Sequence, residues 1–217
     1  MTTPTLLADG PWELKPRARA ILFVDVAGSL RITRQLGDAR AYHLLKFLAD
    51  TIHRAETNTG RVVRSLGDGF LLSFDTVDEA LAHATTAQAE IARCNPTEVP
   101  LKIRCGIHYG NVIEADGDLF GVSVYLASRV TNHAHGGEIL LTGAARDASE
   151  RDPESFTDFG PTLLPGFEEP VRVYEYPWRL SSRTEETANV APPRGSRTGR
   201  RACRTAPGCG CAPAGEG

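Results

Sequence analysis

Hydrophobic and polar positions alternate between two periods along this chain. Ala18–Val26, ARAILFVDV, is a short run rich in β-branched and aromatic residues. It is too apolar for a sheet edge and predicts a central strand. Apolar residues then recur at roughly helical spacing (Leu36, Tyr42, Leu45, Leu48, Ala49, Ile52), predicting a helix from near Leu30 to a stop at Gly60. Two apolar segments, Arg61–Leu66 and Phe70–Phe74, flank Gly67-Asp68-Gly69. Asp-Gly suits the positive-φ positions of a tight turn, so this stretch predicts a hairpin. A second helix is expected over Val77–Arg93, with Ala80, Leu81, Ala84, Ala87 and Ile91 as its buried stripe.

The second half repeats the theme. Leu101–Tyr109 reads as a strand that Gly110–Ile113 can extend, Phe120–Asn132 as a helix, Glu138–Thr142 as a short buried strand and Gly143–Ser149 as a short helix. Phe156–Phe159 and Val171–Tyr176 complete the set. Strands alternate with helices, but the tight hairpin interrupts a pure βαβ series. The pattern implies an α+β fold with a mostly antiparallel sheet and helices packed on one face.

Composition sets the outer limits. The chain has 217 residues, 41% hydrophobic and 24% charged, with a net charge of −3, as expected of one globular domain with tails and not of a basic nucleic-acid binder. Its longest aliphatic or aromatic stretch, Ala20–Val24, is far below the ~20 residues of a membrane-spanning helix. The first residues lack the basic-then-apolar pattern of a secretory signal, and the five cysteines are an odd number; both point to a cytoplasmic location. Residues 1–18, with Pro4, Pro11 and Pro16, read as an arm, and 19–178 as the domain. Residues 179–217 read as a disordered basic tail rich in Gly, Pro, Arg and Cys. Cys94 and Cys105 fall in apolar segments and are expected to be buried thiols. The tail cysteines are too few for a closed zinc site, and the scattered histidines give no metal-ligand spacing.

Two groups of residues can carry chemistry. Asp25 ends the first strand and Asp68 sits at the hairpin tip. Singly, each has a plain reading, as a helix cap or a turn residue. Together, a strand-end and a hairpin-tip carboxylate can share a divalent cation of the magnesium type, and two such ions can clamp the oxygens of a phosphoryl transfer. Val26-Ala27-Gly28-Ser29 then opens a helix whose free N–H groups can cradle a phosphate. In the second group, Asp118, Tyr125 and Arg129 fall within about 20° of one helix face if the helix at 120 reaches back to Asp118. Val122, Leu126 and Val130 would then point elsewhere and pack. A solvated polar face is the plain alternative.

From about Arg19 to Pro177 the chain resembles the class III adenylate/guanylate cyclase catalytic domain. The resemblance is carried by Phe23-Val24-Asp25-Val26-Ala27-Gly28-Ser29, Leu66-Gly67-Asp68-Gly69-Phe70 and Arg104-Cys105-Gly106-Ile107-His108-Tyr109-Gly110. Asp118-Leu119-Phe120-Gly121, Ala127-Ser128-Arg129 and Gly136-Gly137-Glu138-Ile139-Leu140 extend it in the same order. It implies a ferredoxin-like α+β unit that pairs head to tail, with active sites shared across a homodimer. It implies ATP as substrate, cyclised to 3′,5′-cyclic AMP, with two Mg²⁺ or Mn²⁺ ions per site held by Asp25 and Asp68. Arg129 matches the arginine that stabilises phosphate charge, and Asp118 matches the acceptor of the adenine amino group. A guanine would place a carbonyl against that acceptor.

Three positions depart from the family pattern. Arg64 stands for the base-recognising lysine, Tyr125 for the ribose-orienting asparagine, and Leu164-Pro165-Gly166 where many relatives have Leu-Lys-Gly. An atypical cyclase with low activity is expected. A degenerate domain that binds nucleotide or regulates through dimerisation is the rival reading. A diguanylate cyclase would need a Gly-Gly-Asp/Glu-Glu-Phe turn, which Leu66–Phe70 does not supply.

Overall fold

A computed structural model describes residues 14–55 and 60–179. The first 13 residues and almost all of the expected tail lie outside the described residues. The chain runs β1 (Arg17–Val26), α1 (Ser29–Leu36), α2 (Asp38–Arg54), β2 (Arg61–Ser65), β3 (Gly69–Phe74) and α3 (Val77–Arg93). It continues through β4 (Ile103–Ala115), β5 (Asp118–Phe120), α4 (Val122–His133), β6 (Ile139–Thr142), α5 (Gly143–Ala148), β7 (Thr157–Thr162) and β8 (Val171–Glu175). β1 begins two residues inside the expected arm. The sheet order is β2-β3-β1-β4-β6-β8-β7, with β5 paired to β4. All pairs are antiparallel except β4 with β6. The expected α+β architecture is present, and β1 is central.

Alternation along β1 sorts the core into two layers. Ala20, Leu22 and Val24 face one layer with Leu44, Leu48, Ile52, Leu81 and Ala84 of α2 and α3. Ile21 faces the other, with Leu71, Val112, Val124 and Ala127. Each fully buried leucine or isoleucine contributes roughly 1.5–3 kcal/mol. The helices therefore do not all share one face: α1, α2, α3 and α5 cover one side and α4 covers the other. Glycine makes α4's position possible. A Cβ at Gly106 of β4 would stand 2.2 Å from Thr131 Oγ1 and 2.3 Å from the Thr131 amide, and one at Gly110 would stand 2.6 Å from Ser123 Oγ.

Local sequence explains most boundaries. Thr76 caps α3 reciprocally with Glu79, its hydroxyl accepting from the Glu79 amide and the Glu79 carboxylate accepting from the Thr76 amide. The buried stripe of α3 is the predicted one, with Val77, His83 and Gln88 added. The helix expected from Leu30 to Gly60 is two helices. Gly37, at φ 75°, ends α1 by donating its N–H to Thr33 O at 2.8 Å, and Asp38 starts α2. The buried face of α2 is then Ala41, Leu44, Leu48, Thr51 and Ile52, which leaves Tyr42 exposed. Cys105 is buried as expected, whereas Cys94 is only half-buried. Burial pushes the Cys105 thiol up to about 12, so it is no nucleophile. Among the described residues no helix is long and apolar enough to cross a membrane.

Candidate active site

β1 and the β2–β3 hairpin bring the two predicted carboxylates to neighbouring positions. Asp25 pairs in register with Gly69, the residue after Asp68. The Val26 amide donates to Asp68 O at 3.2 Å, which ties the hairpin tip to the strand end. Gly67, at φ 86°, makes the turn. A Cβ at Gly69 would lie 3.2 Å from Asp25 Oδ1 and 2.8 Å from Val24 O. The missing side chain therefore keeps the space beside the Asp25 carboxylate open. Asp25 and Asp68 are both half-buried, and carboxylates are hard oxygen donors of the kind that suit Mg²⁺ or Mn²⁺.

Arg104 is a member of this group that sequence reasoning passed over. It sits across from Asp25 on β4, and its Nε and Nη2 donate to Asp25 Oδ2 at 2.8 and 2.5 Å. Nη1 also donates to Asn132 O at 3.3 Å and Nη2 to Asn132 Oδ1 at 3.2 Å. The signal was an arginine between the apolar residues Ile103 and Cys105, but only the β1–β4 register shows which acid it meets.

Two of the amides expected to face a phosphate are already engaged. The Val26 amide is spent on Asp68 O, and the Ala27 amide donates to Lys102 O at 2.9 Å. Neither can donate to a phosphate. The donors that remain begin at Gly28, which is left-handed at φ 74° and precedes α1 with no side-chain cap. Its neighbours in the first helical turn have amides without intrahelical partners.

The second predicted group is also rearranged. α4 starts at Val122, so Asp118 lies in β5 and not on the helix face with Tyr125 and Arg129. Val122, expected to pack, is exposed at the helix start, while Val130 is buried and Leu126 half-buried. Asp118 instead meets Arg64 of β2, Nη1 to Oδ2 at 3.1 Å, and its Oδ1 accepts from the Leu119 amide at 2.8 Å. The two residues expected to read the base are thus an ion pair joining the β4–β5 hairpin to β2. Arg61 Nη1 reinforces that joint by donating to Gly117 O at 2.9 Å.

Tyr125 is exposed, and Arg129 donates from Nε to Pro165 O at 3.0 Å. Buried Leu164 anchors that loop. The loop therefore holds Arg129 through the backbone carbonyl of Pro165, the middle residue of the Leu164-Pro165-Gly166 departure. Among the described residues, no hydrogen bond or ion pair links Arg64, Asp118, Tyr125 or Arg129 to Asp25, Asp68 or Arg104.

A sequence model of the adenylate and guanylate cyclase catalytic domain matches residues 17–176. The chain belongs to that family. This cyclase domain is 30% identical over 189 residues to putative adenylate cyclase 3 of Rhizobium meliloti, a match covering 82% of the chain and 31% of that protein. It is 33% identical over 134 residues to an adenylate cyclase of Streptomyces griseus, covering 61% of the chain and 33% of that protein. A solved adenylate/guanylate cyclase/hydrolase from Silicibacter pomeroyi superposes with a TM-score of 0.60 at 29% identity, covering 75% of the chain and 97% of that structure. The cyclase domain spans about a third of the length of these two curated relatives.

Proposed function

We propose that this cyclase domain converts ATP to 3′,5′-cyclic AMP and pyrophosphate. The observation that supports this best is the placement of Asp25 and Asp68 side by side at the end of β1, next to the helix start that can receive a triphosphate. Asp25 and Asp68 would hold Mg²⁺ or Mn²⁺. When bound, such ions supply Lewis-acid activation of the ribose 3′-hydroxyl and neutralise phosphate charge. The chain's own groups do the rest. Amides from Gly28 onward face the phosphates. Arg129, held through Nε, leaves its Nη groups free to grip the oxygens on which charge builds. Asp118 accepts from the adenine amino group and Arg64 donates to the ring. The 3′-oxygen to α-phosphorus bond forms, the bond from the α-phosphorus to the α,β-bridging oxygen breaks so that pyrophosphate leaves with that oxygen, and the hydroxyl proton passes to solvent water.

A homodimer completes the site in this reading. One protomer supplies Asp25, Asp68 and the helix start, and its partner supplies the base-reading pair, Tyr125 and Arg129. Support comes from the absence, among the described residues, of any direct hydrogen bond or ion pair between the two groups within one chain. Exposed Phe120, Val122 and Tyr125 add apolar surface around the second group.

The rival reading, a nucleotide-binding module without turnover, is favoured by Tyr125, whose phenol is bulkier than the family's amide. A cyclic-nucleotide assay on the full chain with ATP or GTP and Mn²⁺ decides between them. The cyclase reading expects cyclic AMP from ATP and little product from GTP. Nucleotide binding with no product from either substrate would overturn it.

A further inference from the structure

β2 departs from a regular strand. Against β3, Arg61 pairs with Ser73 and Val62 with Leu72, but the next pair is Arg64 with Leu71. Val63 is therefore an extra residue, a β-bulge. In a regular strand, residues three apart point to opposite faces of the sheet. The bulge removes that opposition. Arg61 and Arg64 stand against Ser73 and Leu71, which are two apart and so share a face, the one covered by α4. Val62, opposite Leu72, packs into the α2–α3 layer instead.

Both arginines consequently reach the same small ribbon. β4 and β5 pair with Ala115 opposite Asp118, so Asp116-Gly117 is a two-residue turn. Its φ values of 51° and 78° are the positive pair that such a turn demands. Arg61 Nη1 donates to Gly117 O at 2.9 Å, and one residue further along Arg64 Nη1 meets Asp118 Oδ2 at 3.1 Å. Among the described residues, β5 is three residues long and pairs with no strand but β4. Buried Leu119 anchors its middle, and Arg61 holds the turn itself to β2.

We infer that Arg61 is a positioning residue for base selection, aimed at its target by the bulge at Val63. It acts through Asp118 and not on the nucleotide. By fixing the backbone that carries Asp118, it fixes where that carboxylate meets an adenine amino group or a guanine carbonyl. The Arg64–Asp118 pair alone can move as a unit with so short a strand; the second bond, from another position on β2, removes that freedom. The inference rests on the reading in which Asp118 accepts from adenine.

The test is calorimetric binding of 3′-deoxy-ATP and 3′-deoxy-GTP with Mn²⁺ to the full chain. These nucleotides lack the attacking hydroxyl, so binding is read without turnover. The unsubstituted chain is expected to prefer the adenine nucleotide. Arg61→Ala should lower that preference at least about fivefold, because the acceptor is no longer pre-positioned. Arg61→Lys, which keeps a donor for Gly117 O, should retain most of it. Amide exchange from Gly117 to Leu119 should quicken in Arg61→Ala while the melting temperature barely moves. In an Asp118→Asn background, Arg61→Ala should change the preference less than about twofold, because the residue through which it acts is gone. Undiminished preference or unchanged exchange in Arg61→Ala would overturn the inference. So would a full effect in the Asp118→Asn background, an equal loss in Arg61→Lys, or a loss that comes with a collapsed melting temperature. No preference in the unsubstituted chain would overturn the adenine reading of Asp118 and this inference with it. A preference that Arg61→Ala leaves intact would overturn this inference alone, and a preference without cyclic nucleotide product from ATP would overturn only the cyclase reading.

Discussion

Arg104 spends two N–H groups on a single oxygen of Asp25, Oδ2, and with the same guanidinium reaches Asn132 at the end of α4. One side chain thus orients the first carboxylate of the site and ties it to the helix carrying Tyr125 and Arg129. Both partners are about a quarter exposed, so solvent screens the pair only in part. Arg104→Ala is expected to cost on the order of 1–2 kcal/mol of stability. It should also lower turnover more than tenfold, since Asp25 loses its fixed orientation (about 1.4 kcal/mol per tenfold). Arg104→Lys keeps the charge but cannot place two donors on Oδ2 while holding Asn132, and should recover stability more than turnover. Thermal melts and steady-state rates at saturating Mn²⁺ check this; wild-type turnover in Arg104→Ala would refute it.

The separation of the two residue groups leads to a complementation experiment. Asp25→Ala removes a residue of one group and Arg129→Ala a residue of the other. In a symmetric dimer with shared sites, a hybrid of the two variants keeps one site with both groups intact. Each variant alone is expected to be inactive, and mixing them should restore part of the turnover. A mixture no more active than its components would count against sites shared between protomers.

How far the sequence carries is visible in particular residues. β1, the β2–β3 hairpin and α3 were legible because each is specified locally, by an apolar run, an Asp-Gly turn and a Thr76–Glu79 box. The adjacency of Asp25 and Asp68 followed from those elements. Gly37 was not legible as a break, because an isolated glycine inside a helical pattern is often tolerated. Asp118 was misplaced because a helical spacing says nothing of where the helix begins. The Arg104–Asp25 pair, the Arg64–Asp118 pair and the spent amides of Val26 and Ala27 all depend on strand register, a non-local property that periodicity does not encode.

Gly106 tests the seating of α4. A methyl group there would fall 2.3 Å from the Thr131 amide nitrogen and 2.7 Å from Thr131 Cα, which are helix backbone and cannot swing aside. Gly106→Ala must push α4 off β4, with an expected cost of about 3 kcal/mol. Thr131→Gly removes only the hydroxyl contact and should not rescue it. Chemical denaturation measures both, and a Gly106→Ala variant of wild-type stability would show that α4 sits less tightly than described.

Two buried histidines set the response to acid. Burial lowers His83 to about 4, where it packs against the Phe74 ring on the α2–α3 side of the sheet. Burial also lowers His108 to about 4, and its Nδ1 pairs with Thr142 Oγ1 at 2.8 Å. Well above pH 6.5 both histidines are neutral in folded and unfolded chains alike, and they impose no pH dependence. As pH falls from about 6.5 towards 4, the unfolded chain takes up protons that the folded chain refuses, so the unfolded state gains and stability declines. The melting temperature should therefore fall across that window. Replacing either residue with a neutral side chain, as in His83→Leu or His108→Gln, should flatten the decline by about one proton's worth of slope. The uncharged replacement also costs packing at every pH, so the slope is the readout and the absolute melting temperature is not. A decline equally steep in both variants would mean that other groups carry the acid sensitivity.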